Sequence, residues 1–176
     1  MGQYWIPVNL DKKEFVSPHK LGAGMKLWEQ LANHPGTGAA LIILTAAMPE
    51  RRGGGDFDLT ENWHGPERVD MSWAGPMPED YPTIAGMTIG RWAGDRIALI
   101  GDYAESDDLP DDDAKLIYHL CDDPNDFIDY PEDYPEGTKE EDFYTDISDY
   151  VCAVIEHELR GKYSGGGWRE FEYNNK

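Results

Sequence analysis

Basic residues are scarce in this chain. Fifteen lysines and arginines face 35 aspartates and glutamates in 176 residues, a formal net charge of −20. Such a molecule repels phosphate backbones instead of neutralising them, so direct nucleic-acid binding is not expected. Cysteine is scarcer still. Cys121 and Cys152 could form one disulfide, but two cysteines cannot staple a small secreted scaffold, and a pair of reduced thiols is the simpler reading. Long apolar runs are also missing. The longest, Ala39 to Ala47, is interrupted by Thr45 and reaches only about half the span of a bilayer. The opening Met1-Gly2-Gln3-Tyr4-Trp5-Ile6 lacks the basic start of a secretory leader, and Ile6 stands where a myristoylation motif needs Ser or Thr. These absences lead us to expect a soluble, cytoplasmic protein with no membrane attachment. Nucleophile signatures are absent too: there is no Gly-x-Ser-x-Gly, and neither cysteine sits among the positive charges that would activate it. No cofactor is implied.

What is abundant is negative charge, and it is regional. Asp102 to Tyr150 holds nineteen carboxylates against Lys115 and Lys139, which is seventeen of the molecule's twenty net negatives. Residues 1–101 carry twelve acids and nine bases, and residues 151–176 carry four of each. A halophile's acidity would cover the whole surface, so this imbalance points to one anionic flank. Six Trp, ten Tyr and five Phe supply large units of burial, enough for a single domain over residues 1–176.

The periodicities predict an α+β fold: a small mixed or antiparallel sheet of about five strands with two or three helices. Tyr4 to Leu10 and Glu14 to Val16, separated by Asp11-Lys12-Lys13, read as a β-hairpin. Pro7 directs the first run to a sheet edge, because it has no N–H to donate. Leu21, Met25, Trp28 and Ala32 mark one face of a helix from about Leu21 to Asn33, ended by Pro35-Gly36. Ala39 to Ala47 reads as a buried strand, although so short an apolar run is equally compatible with a helix. Arg51 to Gly86 is expected to be a long loop pinned by aromatics. Met87 to Trp92 and Arg96 to Tyr103 flank Ala93-Gly94-Asp95 as a second hairpin. Two helical turns are expected over Ala114 to Cys121, with Asp111 to Asp113 at their start, followed by an acidic irregular excursion over residues 122–144. The last helix is expected after Asp146, with Ile147, Val151, Val154, Ile155 and Leu159 on one side.

Four groups of residues merit attention as chemistry. Arg51, Arg52, Gly53, Gly54, Gly55 and Asp56 follow the Ala39–Ala47 run; glycine N–H groups and two arginines can hold a phosphate or carboxylate, with Arg91 and Arg96 as further candidate ligands. The plainer reading is a surface loop whose arginines pair with the protein's own acids. Asp95, Asp102 and Tyr103, with Glu105 nearby, are candidate acid–base groups, while Asp95-Arg96 is equally a simple turn. Asp107, Asp108, Asp111, Asp112 and Asp113 are weak candidates for a cation, without the alternating spacing and turn glycine of a calcium loop. His119, Cys121, Cys152 and His157 have zinc-binding atoms but not zinc-binding spacing. Trp63, Trp73, Tyr81, Tyr130 and Tyr134 can stack on a planar or sugar ligand, or simply pin loops.

Several stretches resemble a family of uncharacterised proteins spread through phages, bacteria and some fungi. They are Met1-Gly2-Gln3-Tyr4-Trp5, Val8-Asn9-Leu10-Asp11-Lys12-Lys13-Glu14, Pro18-His19-Lys20, Arg52-Gly53-Gly54-Gly55-Asp56, Gly90 to Ile97, Gly101-Asp102-Tyr103-Ala104 and Tyr144-Thr145-Asp146-Ile147-Ser148. The resemblance implies no activity. The expected function is therefore a small binding or regulatory protein whose acidic face meets a basic protein partner. The alternative is an enzyme or sensor that grips a phosphate-bearing small molecule through the glycine–arginine loop and the Asp95/Asp102 carboxylates. Oligomeric state is not legible.

Overall fold

The computed structural model describes residues 3–32, 36–47, 81–122 and 134–155. Its elements are β1 (Trp5–Asn9), β2 (Glu14–Phe15), α1 (Leu27–Ala32), α2 (Thr37–Thr45), α3 (Tyr81–Thr88), β3 (Ile97–Gly101), α4 (Ala114–His119), a single 3₁₀ turn (Glu140–Asp142), β4 (Thr145–Asp146) and α5 (Ser148–Ile155). This is the α+β class, with a mixed sheet of four strands among the described residues rather than five. The sheet order is β3-β1-β2-β4: β1 is antiparallel to both neighbours, and β2 runs parallel to β4.

Strand alternation sorts the core into two clusters. Ile6, Val8, Phe15 and Ile100 pack with Ala114, Ile117, Leu120 and Cys121 from α4 and its end, and with Phe143 and Tyr144. Val16 joins the second cluster, where Ala40, Ile43 and Leu44 of α2, Ala85 and Ile89 around α3, Trp92, and Val151, Val154 and Ile155 of α5 meet. The final helix follows its sequence signals. Asp146 Oδ1 accepts from the Ser148 backbone N–H at 2.8 Å, satisfying a first-turn donor, and the expected apolar side is buried as far as Ile155. Asp113 caps α4 by accepting from Leu116 N at 2.9 Å, so its acid stands at the favourable end of the helix.

Four local expectations are corrected. The Ala39–Ala47 run belongs to helix α2: Ala40, Ile43 and Leu44 are buried while Ile42 is 66% exposed, a one-sided helical pattern that a uniformly apolar sequence conceals. The second hairpin does not form. Ala85, Ile89 and Trp92 are buried at helical spacing, residues 89–95 fold as successive turns, and β3 pairs with β1 instead. Gly90 and Gly94 take φ of +76° and +87° within those turns, which side chains resist. Gly90 N and Trp92 N donate to the carbonyls of Ile43 and Leu44, closing the C-terminal end of α2.

Pro7 lies in a central strand, not an edge. Its carbonyl accepts from Val16 N, so its missing N–H falls where β2 has already ended, and the ladder loses little. The Leu21–Asn33 helix shortens to α1. Residues 17–23 form turns, Gly22 has φ +69°, and Trp28 is 81% exposed; the buried residue of α1 is Gln30. Gln30 Nε2 donates to the carbonyls of Trp5 and Met25, tying α1 to β1.

Candidate functional site

Asn9 and Glu14 are cross-strand partners, so their side chains share one face of the first hairpin. Both are buried. Asn9 Oδ1 accepts from Asp11 N and Lys12 N at 3.0 and 2.9 Å, an Asx-type contact that shapes the turn, and its Nδ2 donates to Asp95 Oδ2 at 2.7 Å. Lys12 pairs with the same Asp95 oxygen and donates to the Arg91 carbonyl at 2.8 Å. Glu14 accepts from Arg91 Nε at 2.9 Å and from the Trp92 indole N–H at 2.9 Å. A buried carboxylate is tolerable only with such partners, and here it has a guanidinium and an indole.

Outside this core, Arg96 reaches in two directions. Its backbone N–H and Nε donate to Asp11, each at 2.8 Å, and Nη1 donates to Asp112 at 2.7 Å. The titration behaviour follows from these contacts. Lys12, then Asn9, holds Asp95 below the ordinary carboxylate range, and the Arg96 N–H and guanidinium do the same for Asp11. Glu14 raises Arg91, and Asp11 with Asp112 raises Arg96. The stretches 8–14 and 90–97 thus form one interlocked polar junction.

Most candidates from the sequence fall within this junction or far from one another. Arg91, Arg96 and Asp95 are all held by intramolecular partners. Asp102 accepts from Tyr4 N at 2.9 Å just beyond the C-terminal end of β3, whereas Asp95 lies before its N-terminal end. Tyr103, beside it, is exposed. Arg51, Arg52, Gly53, Gly54, Gly55 and Asp56 lie outside the described residues, as do Trp63, Trp73, Tyr130 and His157.

The aspartate run is dispersed in its roles: Asp108 accepts from Glu105 N, Asp112 pairs with Arg96, Asp113 caps α4, and Asp107 and Asp111 are exposed. Among the described residues no three His, Cys, Asp or Glu side chains are grouped to hold a metal. Cys121 and Cys152 are not joined in a disulfide, Cys152 Sγ donates to the Lys20 carbonyl at 3.4 Å, and burial raises the Cys121 pKa well above its usual value. Sequence reasoning missed Glu14, Asn9 and Trp92 as functional elements of the frame. The signal was an acid and an amide inside otherwise apolar strands, which demand buried partners.

The anionic flank has a different geometry. Some of its acids pair with the protein's own bases: Asp142 with Lys13, Asp146 and Asp149 with Lys20, Glu141 with Lys139. Glu105, Asp107, Asp108, Asp111, Glu136 and Glu140 are exposed and take no cation partner among the described residues. Ser106 and Pro135, chain neighbours of Glu105, Asp107 and Glu136, line a groove of about 350 Å³ together with Asp113, Lys115, Leu116, His119 and Tyr134. Its aromatic wall is braced. Tyr134 packs at 5.4 Å from the Phe143 ring and edge-on at 6.5 Å from His119.

Comparison of the chain with protein-family models, with curated proteins and with solved structures returned no match. No helix among the described residues is long and apolar enough to cross a membrane.

Proposed function

We propose that this protein is a small binding or regulatory protein that engages a basic protein through the flank formed by residues 105–113 and 134–142. One observation carries the reading: six exposed carboxylates on those segments have no cation partner among the described residues, whereas the charges of the polar junction are matched. Unmatched surface charge of one sign steers an oppositely charged partner and repels nucleic acid. The phosphate-binding alternative has less support, because Arg91 and Arg96 already hold Glu14, Asp11 and Asp112. Fluorescence anisotropy with a labelled arginine-rich peptide tests the proposal. Binding is expected at low salt, and it should weaken steeply towards 0.5 M salt as screening lengths shrink to a few ångströms. Absent or salt-insensitive binding counts against an electrostatic face.

A further inference from the structure

We infer that the groove between α4 and Tyr134-Pro135 is the specific element of the acidic face, and that it takes a single arginine side chain of the basic partner. The inference rests on the reading of the flank as a docking face. The groove's volume, about 350 Å³, lies at the low end of the roughly 300–1,000 Å³ typical of ligand pockets, which suits one long side chain better than a cofactor. Its walls match a guanidinium. Leu116 and Pro135 offer apolar contact for the methylenes, and Tyr134 lines the groove beside them. Asp113 supplies the charge: one of its oxygens accepts from Leu116 N, and the second remains for an arginine N–H. Because Phe143 and His119 pack against Tyr134, little order has to be imposed on that wall at binding. Glu105, Asp107 and Glu136 adjoin lining residues in the chain and extend the negative field around the mouth. Lys115 is the unfavourable neighbour. It is exposed, and its flexible stem lets the ammonium turn to water.

The experiment is anisotropy titration of the full chain with two labelled peptides of equal charge, one carrying arginine and one lysine, against four variants checked for folding by circular dichroism. Asp113→Asn keeps a competent helix cap but removes one charge; Glu140→Gln removes one charge from the same flank outside the groove. We expect Asp113→Asn to weaken the arginine peptide at least about threefold more than Glu140→Gln does, as a charge-assisted hydrogen bond requires. Tyr134→Leu should weaken it about tenfold, and the lysine peptide should bind more weakly than the arginine peptide. Lys115→Ala should tighten binding. Equal losses for Asp113→Asn and Glu140→Gln would overturn the groove while leaving the acidic face in place. Weakened binding in Lys115→Ala would overturn it in favour of an anionic occupant. If neither peptide binds the unaltered protein, the docking face fails along with the groove.

Discussion

Two charged regions of this molecule, built from the same residue types, are used in opposite ways. At the junction of the first hairpin with residues 91–96, Glu14, Arg91, Asp95, Lys12, Asp11 and Arg96 satisfy one another, and two of the acids are held in their ionised form by the pairing. Along residues 105–113 and 134–142, exposed acids outnumber the bases that reach them. The contrast teaches that a charge signals a ligand only after the protein's own counter-charges are accounted for. Arg91 and Asp95, attractive as chemistry in the sequence, belong to the frame, while unremarkable Glu105 and Glu136 are exposed and take no cation partner among the described residues.

Substitutions can break this contrast, beginning with the largest effect. Glu14→Ala leaves Arg91 without its buried partner and should cost about 3–5 kcal/mol, read by urea denaturation. Glu140→Gln should stay within about 0.5 kcal/mol in the same assay, as surface changes do; comparable losses in the two would erase the distinction. Asn9→Ala removes the turn acceptor and the bond to Asp95, and a loss of about 1–3 kcal/mol is expected.

Acid sharpens the comparison further. Asp11 and Asp95 have pKa values below the ordinary 3.8, so their contribution is complete above that value and disappears as pH falls through the lowered ones. Stability should therefore decline below about pH 4, and Asp95→Asn should be both less stable at neutral pH and flatter on the acid side. The smallest effect belongs to the flank itself. Asp107→Asn with Asp111→Asn should raise stability slightly, by at most about 0.5 kcal/mol, because self-repulsion falls.

Legibility in the sequence followed the range of the interaction. The first hairpin, α4 and the closing helix were readable, because the Asp11-Lys12-Lys13 turn, the Asp111–Asp113 run at the start of α4 and the apolar spacing Ile147-Val151-Val154 act within a few positions. The identity of α2 was not, since a run such as Leu41-Ile42-Ile43-Leu44 carries no period until an exposed Ile42 distinguishes the outer side. Nor was the partner of β3, which lies about ninety positions away and was mistaken for the adjacent Met87–Trp92 segment. The candidate site divided in the same way. Acidity of the flank was visible as composition, but the groove needs Tyr134 to fold against His119 and Phe143, and no local pattern encodes that meeting.

The placement of β1 between β3 and β2 has a consequence for biosynthesis. As the chain leaves the ribosome, the strand Trp5–Asn9 has only its hairpin mate on one flank until Ile97–Gly101 emerges. During that interval its other side is an unpaired ladder of apolar residues, the kind of surface that chaperones shield and that stalled fragments aggregate through. Nascent chains arrested before residue 97 should therefore be recovered as insoluble or chaperone-bound species, while those released after residue 155 should not.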